Sequence, residues 1–321
     1  MRWIPLSVFL MVVAIAVWLS RPLPRTGLAC DPHPVAGYDD AVRLVDSLRA
    51  AEAQGISSEC GTRLMTHGAK THRVIVMFHG LTNCPEQFDS LGRLSFARGA
   101  NVLIPRLPHH GLANRMTGDL AHMSAPEMRA FTDRVMDAAS GLGDSVTVAG
   151  LSIGGSIAAW VAQHRPGVDR AVMIAPMIGL SVARGRRSPV VARLMGAFPN
   201  SFMWWDPARK EKLAGPTYVY PRFATHSISA MLTMGWTTLE DAERHPPLCR
   251  SLAVITVGSD MAIDNGLCTT LVSEWRRHGV RDLVTFQFPK ELKLNHDVVD
   301  PRQAGGNPSI TYPVLTALIG P

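Results

Sequence analysis

The sequence lacks the patterns that mark metal proteins, redox proteins and disordered chains. Its 321 residues include only five cysteines, and no two of them have Cys-x-x-Cys spacing. A zinc site or a dithiol redox site is therefore not indicated, and we predict neither a metal nor a cofactor. No repeat or low-complexity tract occurs, and charged residues make up only 18% of the chain against 46% hydrophobic residues. This composition is typical of a globular protein with a full core.

Acidic residues are the minority among the charged ones, with 26 Asp and Glu against 32 Lys and Arg, and the formal net charge is +6. The basic residues are spread along the chain, with one local cluster of Arg184, Arg186, Arg187 and Arg193. Because most of the positive charge is dispersed, we predict no nucleic-acid partner. The charge indicates solubility and an attraction to anionic lipid.

The N-terminal segment is hydrophobic and uncharged. Residues 3–19 carry no charged side chain, lie between Arg2 and Arg21, and precede a proline-rich stretch. Their length exceeds the roughly 7–15 apolar residues of a cleaved signal peptide and reaches the lower limit of about 17 for a membrane-spanning helix. We therefore predict that residues 1–20 form a signal peptide or a transmembrane anchor, with an uncleaved anchor favoured, and that residues 21–34 form a linker.

An export signal places the following domain outside the cytoplasm, either anchored in the inner membrane or as an exported, periplasmic protein. Disulfides form in such oxidising compartments. We expect the pairs Cys249–Cys268 and Cys30–Cys60, with Cys84 left as a free thiol. Buried thiols without any disulfide are the alternative.

From residue 62 onward, short apolar runs alternate with amphipathic stretches. The apolar runs predict strands and the amphipathic stretches predict helices. Such alternation indicates an α/β fold, in which a mostly parallel sheet has helices on both faces. The predicted strands are 73–80, 101–107, 145–150, 170–176, 252–258 and 282–288, and the predicted helices are 38–53, 85–98, 124–139, 154–164 and 266–278.

The alternation is interrupted between residues 177 and 248, within a domain of residues 35–321. This insertion is rich in aromatic residues and methionine, and we predict that it forms a few helices packed over one end of the sheet. We expect its apolar side chains to form the core of the insertion itself. The alternative, compatible with the first, is that they form the wall of an acyl pocket where the insertion meets the sheet. Trp204 and Trp205 are our candidates for that wall.

Ser152 lies in a Gly-x-Ser-x-Gly sequence between a predicted strand and a predicted helix. The glycines, Gly150 and Gly154, remove Cβ atoms that would collide in a sharp strand-to-helix turn, and this turn exposes the serine hydroxyl. The N-terminus of the following helix favours negative charge at the same place. Because three fixed positions match by chance in about one chain of this length in ten, the pattern needs partners elsewhere in the sequence.

A serine becomes a good nucleophile when a base takes its proton and an acid orients the base. Asp260 lies two residues after a predicted strand, and Asp264 lies four residues farther on. His296 lies in the loop after the last predicted strand. The chain order serine, aspartate, histidine is that of one known fold. We predict Asp260 as the acid, with Asp264 as its rival. We interpret His278 as a helix C-terminal residue.

The negative oxygen formed during acyl transfer needs hydrogen-bond donors. His79 and Gly80 end a predicted strand, and the glycine permits a turn that directs the Leu81 N–H toward the serine. The N–H of Ile153 is the predicted second donor, and each donor stabilises the transition state by about 3–4 kcal/mol. We expect His79 to order the turn by hydrogen bonding, and we include His79 and Gly80 with Trp204 and Trp205 among the substrate-binding residues.

Five segments, in the same order, resemble one family. They are "FHGLTNCPEQF", "NVLIPRLPHHG", "GLSIGG", "VGSDMAID" and "NHD". They are similar to the oxyanion turn, the next loop, the nucleophile turn, the acid turn and the histidine loop of α/β-hydrolases, in the branch of monoacylglycerol-lipase-like esterases, bacterial carboxylesterases and serine aminopeptidases. The resemblance covers about residues 62–319 and implies an α/β-hydrolase fold with residues 177–248 as its cap.

The resemblance also implies a triad of Ser152, Asp260 and His296, with the amides of Leu81 and Ile153 as the oxyanion hole. The implied activity is hydrolysis of carboxylic esters through an acyl-enzyme, with acyl or lipid-like esters favoured. A thioesterase or serine aminopeptidase on the same triad is the alternative, and a non-catalytic, membrane-tethered binding protein is an alternative of another class. The oligomeric state is left open.

The sequence departs from the family pattern in two places. "HHG" stands at residues 109–111 where family members more often have Gly-His-Gly, so the role of His109 stays open. The acid turn is one residue shorter than is common between Gly258 and Asp260, which keeps Asp264 as an alternative acid.

Overall fold

The computed structural model describes residues 6–52, 54–213 and 215–320. Each strand and helix predicted from the sequence is present, with ends that differ by at most three residues. The strands are β1 (Arg63–Met65), β2 (Thr71–Phe78), β3 (Asn101–Ile104), β4 (Gly143–Leu151), β5 (Arg170–Ile174), β6 (Phe202–Trp204), β7 (Arg222–Ala224), β8 (Ser251–Val257) and β9 (Asp282–Phe288). The helices are α1 (Leu6–Ser20), α2 (Tyr38–Ala50), α3 (Glu86–Ala97), α4 (Ala125–Leu142), α5 (Ile153–His164), α6 (Ser188–Ala197), α7 (Thr225–Ala242), α8 (Asn265–Arg277) and α9 (Pro308–Ile319).

The main sheet has seven strands in the order β1-β3-β2-β4-β5-β8-β9. All neighbouring strands run parallel except β1, which runs antiparallel to β3. The central strands are continuous apolar runs because both faces of the sheet are covered. In a parallel sheet the carboxyl ends of all strands lie on one edge, so the loops after β2, β4, β8 and β9 converge there.

Helices cover both faces of this sheet. On one face α3 and α9 contact each other, and on the other α4, α5 and α7 pack together, with α2 against α4. Ser124 caps α4 as the sequence predicts, since its hydroxyl accepts a hydrogen bond from the Glu127 N–H. Helix α5 is buried from Ile153 to Gln163, which places the segment after Ser152 in the centre of the molecule.

The segment between β5 and β8 contains more than the helices predicted for it. Besides α6 and α7 it has a two-stranded antiparallel ribbon, β6 with β7, in which Met203 lies opposite Phe223. Each ribbon strand is three residues long, too short for the alternation of apolar and polar residues to be recognised in the sequence.

Helix α1 stands apart from the core. None of its residues is buried, and it contacts α6, where the guanidinium of Arg193 donates to the carbonyls of Trp18 and Pro22. Among the described residues, no helix is both long enough and apolar enough to cross a membrane. Residues 21–34 form no regular structure. Leu23 and Leu28 within this segment are buried, so the predicted linker packs against the domain.

The disulfide prediction is wrong. Cys60 is bonded to Cys84, whereas Cys30, Cys249 and Cys268 are free. The predicted partners are engaged elsewhere: the Cys30 thiol donates to Asp133 and the Cys268 thiol to the Pro176 carbonyl. Which cysteines meet depends on how two loops fold back beside the sheet, and sequence spacing carries no information about that.

Candidate active site

The Gly-x-Ser-x-Gly segment forms a strained turn between β4 and α5. Ser152 has φ 60° and ψ −115°, a conformation that is rare for a residue with a side chain. A Cβ atom at Gly150 would lie 2.1 Å from the carbonyl oxygen of Gly154, and one at Gly154 would lie 2.0 Å from that of Phe78. Both glycines are therefore required by sterics, as the sequence pattern predicts.

Backbone hydrogen bonds hold Ser152 in this conformation. Its N–H donates to the Ile174 carbonyl at 2.9 Å, and its carbonyl accepts from the N–H of Met177 at 3.1 Å and of Ser156 at 2.9 Å. The residue retains 8% of its surface exposed. The turn thus fixes the serine between two buried elements at the carboxyl edge of the sheet.

His296 and Asp260 are brought together from the loops after β9 and β8. Nδ1 of His296 lies 2.6 Å from Oδ2 of Asp260. The Asp260 side chain is fully buried, and its other oxygen accepts from the N–H of Ala262 at 2.7 Å. Burial opposes ionisation of Asp260, but the hydrogen bond from His296 and the backbone amides lower the pKa of this carboxyl. Asp260 is therefore an anion that orients the imidazole.

The same contact alters the imidazole. Burial disfavours the charged form of His296, yet the hydrogen bond and the negative charge of Asp260 outweigh it and raise the pKa of His296 above its ordinary value. With Nδ1 directed at the carboxylate, Nε2 is the nitrogen left to exchange a proton.

Asp264, the rival acid, has a different place. It caps α8, with Oδ1 accepting from the Gly266 N–H at 2.9 Å and Oδ2 accepting from the Gly185 N–H at 2.8 Å. Both of its oxygens are used in these backbone contacts. Of the two aspartates, it is Asp260 that the structure places against His296.

The turn after β2 contains the predicted oxyanion donor. His79 is fully buried and bridges two backbone segments: Nδ1 donates to the Gly80 carbonyl at 2.9 Å, and Nε2 accepts from the Leu107 N–H at 3.1 Å. Burial lowers the pKa of His79 to about 3, so the ring is neutral. The N–H of Leu81 has no acceptor among residues 6–52, 54–213 and 215–320. The N–H of Ile153, at the first position of α5, has no acceptor within the helix.

The insertion between β5 and β8 touches this turn through Thr82, which the sequence reasoning missed. Nε1 of Trp205 donates to Thr82 Oγ1 at 2.8 Å, and the Tyr220 N–H donates to the Thr82 carbonyl at 2.8 Å. Trp204 lies instead below the Lys210 ammonium, 5.8 Å from it, and makes no hydrogen bond to the turn in the described part of the chain. Of the two predicted wall residues, the structure brings Trp205 to the turn.

His109 and His110, in the segment that departs from the family pattern, have different surroundings. His109 lies between two carboxylates, with Nδ1 3.1 Å from Asp119 and Nε2 2.9 Å from Glu127. The hydrogen bond to Glu127 is the main cause that raises the pKa of His109. Burial lowers the pKa of His110. His109 therefore links its loop to α4 through hydrogen bonds to Asp119 and Glu127. The described residues contain no cluster of three or more His, Cys, Asp or Glu side chains that could hold a metal ion.

Comparison with known proteins shows the family of the chain. The sequence pattern of the alpha/beta hydrolase family matches residues 75–301. The chain belongs to this family. A pyrethroid hydrolase of Sphingobium wenxiniae is 33% identical over 92 residues, which are 29% of this chain and 31% of that protein. A thermostable monoacylglycerol lipase of Bacillus sp. is 28% identical over 100 residues, which are 29% of this chain and 36% of the lipase. The matches thus span about a third of the length of these relatives.

A solved structure extends the comparison over the whole fold. The monoacylglycerol lipase of Paleococcus ferrophilus superposes with a TM-score of 0.61 at 16% identity, over 80% of this chain and 97% of the lipase. At this identity the likeness concerns the fold. The family member described here therefore has the sheet and helices of a monoacylglycerol lipase, and its chemistry has to be argued from its own residues.

Proposed function

We propose that this chain is a serine hydrolase that cleaves carboxylic esters, with acyl or lipid-like esters as its substrates. One observation carries the proposal: the hydrogen-bonded pair of Asp260 and His296 lies on loops at the same sheet edge as the strained turn of Ser152. The relatives named a monoacylglycerol lipase and a pyrethroid hydrolase support the same chemical class.

The proposed reaction has two halves. Nε2 of His296 takes the proton of the Ser152 hydroxyl while the serine oxygen attacks the acyl carbon, and the carbonyl oxygen becomes negative. The amides of Leu81 and Ile153 donate to this oxygen. The tetrahedral intermediate collapses, the C–O bond to the alcohol breaks, and His296 gives the departing alcohol the proton. Water then attacks the acyl-enzyme by the same route and releases the acid.

The cap contact supports an apolar acyl site above the serine. Trp205 and Phe223 pack with ring centroids 4.3 Å apart, and the hydrogen bond from Trp205 to Thr82 joins this aromatic pair to the oxyanion turn. Apolar aromatic side chains joined to the oxyanion turn favour hydrocarbon chains over charged groups. We therefore expect acyl esters to be better substrates than aminoacyl amides, whose ammonium needs a nearby carboxylate.

A fluorophosphonate probe tests the nucleophile. We expect one adduct on the wild-type protein, located at Ser152 by peptide mass spectrometry, and none on Ser152→Ala. Ser95→Ala is the matched control, because Ser95 is a buried serine on α3 whose hydroxyl bonds to the Leu91 carbonyl, and it should label like the wild type. Well-folded wild-type protein without an adduct would support the non-catalytic alternative and reject the proposal.

Rates on p-nitrophenyl esters of graded length, an acyl thioester and an aminoacyl amide then separate the alternatives. We expect the highest kcat/KM on esters and a dependence on acyl length. A higher kcat/KM on the thioester or on the amide would show that the protein is a thioesterase or an aminopeptidase instead of an esterase.

We also propose that the N-terminal segment exports the chain or anchors it in the membrane, with the catalytic domain outside the cytoplasm. Helix α1 contains no charged side chain, and none of its residues is buried in the domain. The Cys60–Cys84 disulfide supports an oxidising compartment.

A reporter fusion tests export. Residues 1–34 joined to a phosphatase that is active only outside the cytoplasm should give active reporter, whereas residues 35–68 joined to the same reporter should not. An inactive reporter behind residues 1–34, produced at equal level, would contradict the proposed location.

A further inference from the structure

We propose that Gln87 is a positioning residue. Acting through Asp297, it fixes the position of the turn that carries Leu81 relative to the loop that carries His296. The inference rests on the proposed function, because it concerns the distance between the oxyanion donor and the base. Gln87 lies in the first turn of α3 and is 2% exposed.

The side-chain amide of Gln87 bridges the two loops. Its Oε1 accepts from the N–H of Gly80 at 2.7 Å, and its Nε2 donates to Oδ2 of Asp297 at 2.7 Å. Gly80 immediately precedes the donor Leu81, and Asp297 immediately follows His296. One buried side chain thus connects the residue beside the oxyanion donor to the residue beside the base.

Only an amide satisfies both partners at this position. The Gly80 N–H can only donate, and the Asp297 carboxylate can only accept, so the bridging group needs an acceptor and a donor on one planar end. A carboxylate at position 87 would face Asp297 with two acceptors, and a hydrocarbon would leave the buried Gly80 N–H without its acceptor and remove one donor from Oδ2 of Asp297.

Asp297 transmits the contact because its other oxygen is fixed. Oδ1 accepts from the N–H of Val299 and of Asp300, both at 3.0 Å. The carboxylate therefore stabilises the turn that follows His296, while Asp260 holds the imidazole from the other side. A change at Gln87 alters the placement of Leu81 relative to His296 without touching the acyl pocket, so it should lower kcat rather than raise KM.

A polarity-reversal cycle tests this role with four proteins: wild type, Gln87→Glu, Asp297→Asn, and the double variant. In Gln87→Glu two carboxylates face each other, and in Asp297→Asn two donors face each other. In the double variant the introduced asparagine donates to the introduced glutamate, which still accepts from Gly80, and the total charge equals that of the wild type. Each single variant should lose about 100-fold in kcat, and the double variant should recover to within about 3-fold of the wild type.

The pH profile is a second readout, with the sign set by the charges around His296. Asp260 and Asp297 both favour its protonated form. Gln87→Glu adds negative charge and should move the acid limb of kcat/KM to higher pH, Asp297→Asn should move it to lower pH, and the double variant should return it to the wild-type position. These shifts follow from the charge alone and show that positions 87 and 297 lie close to His296, whereas the recovery of kcat in the double variant tests the positioning role.

Gln163→Glu is the matched control. Gln163 is also a buried glutamine that both donates and accepts, since it donates to the carbonyls of His245 and Pro246 and accepts from Trp275, but it lies at the far end of α5. This variant should lose stability and keep the wild-type acid limb and kcat.

The inference is overturned if the double variant is as slow as the product of the single effects, or if Gln87→Glu keeps the wild-type kcat. If Gln87→Glu does not fold, the double variant must still be faster than Asp297→Asn, and an equal or lower kcat rejects the role. Labelling of wild-type Ser152 by fluorophosphonate distinguishes failure of the proposed function from failure of the role of Gln87. No labelling rejects the proposed function. Labelling without recovery of kcat in the double variant rejects only the role of Gln87.

Discussion

Two histidines at this site, the buried His79 and the partly buried His296, have pKa values shifted in opposite directions. Burial lowers the pKa of His79 to about 3, and both of its ring nitrogens are used by the backbone. For His296, burial acts in the same direction, but the contact with Asp260 outweighs it and raises the pKa. His79 is thus a neutral residue that holds the turn by hydrogen bonds, and His296 is the residue suited to transfer a proton near neutral pH.

Asp260 and Asp264 should respond differently to the same substitution. Asp260→Asn should lower kcat by about 10⁴-fold, since loss of a triad acid leaves the imidazole in the wrong tautomer. It should also lower the pKa of His296, which moves the acid limb of kcat/KM to lower pH. Asp264→Asn keeps a side chain that can cap α8, but its amide nitrogen would face the N–H of Gly266 or of Gly185 and should cost about 1 kcal/mol of stability. Steady-state rates and thermal unfolding measure both effects.

Equal losses of kcat in Asp260→Asn and Asp264→Asn, with both proteins folded, would contradict the assignment of the acid.

At the scale of elements, the segment between β2 and α3 is held from several directions. Thr82 has φ 65°, which costs a residue with a side chain on the order of 1–3 kcal/mol. Contacts from Trp205 and Tyr220 compensate on the cap side, and the Cys60–Cys84 disulfide fixes the segment on the other side. The oxyanion turn is therefore rigid because three separate parts of the chain meet on it.

The disulfide makes this rigidity testable. It closes a loop with a sequence separation of 24, and replacing both Cys60 and Cys84 by serine should lower the free energy of unfolding by about 3 kcal/mol. The kcat should fall as well, because the turn that carries Leu81 loses a fixed end. Urea unfolding and ester hydrolysis measure the two effects.

Reduction by dithiothreitol provides the control for that experiment. It should lower the unfolding midpoint of the wild type and leave that of the double serine variant unchanged. An unchanged wild-type midpoint after complete reduction would show that the bond does not stabilise the domain.

At the scale of the molecule, the apolar α1 contacts α6, and the segment that carries the rest of the arginine cluster packs against the same helix. Arg193 on α6 contacts Trp18 on α1. Arg184, Arg186 and Arg187 are exposed and form no salt bridge with any described residue. A group of exposed cations beside an apolar helix favours a membrane surface with anionic headgroups.

Vesicle binding tests this preference with the full chain. A triple variant of the exposed cluster, Arg to Gln at 184, 186 and 187, should lose most of the preference for anionic over zwitterionic vesicles, about 100-fold in partition ratio. The matched control removes three exposed, unbridged arginines elsewhere, namely Arg250, Arg276 and Arg281, and should keep the preference. Equal losses in the two variants would mean that net charge alone governs binding. Hydrolysis of a soluble short ester should stay unchanged in both.

The sequence by itself determined the features that depend on local sterics and on strand order. The turn at Ser152 follows from Gly150 and Gly154, because added Cβ atoms there would overlap backbone oxygens. The strand and helix pattern placed Asp260 and His296 after β8 and β9, and parallel strands bring such loops to one edge.

Only the tertiary structure decided which groups on those loops meet. Asp260 and Asp264 are four residues apart on one turn, and the direction of each carboxylate depends on the path from β8 into α8. The partner of Cys60 and the bridge made by Gln87 depend on loops that fold back from distant parts of the chain. Local patterns fix the conformation of short segments, but contacts between segments are set by packing, and that information is spread over the whole chain.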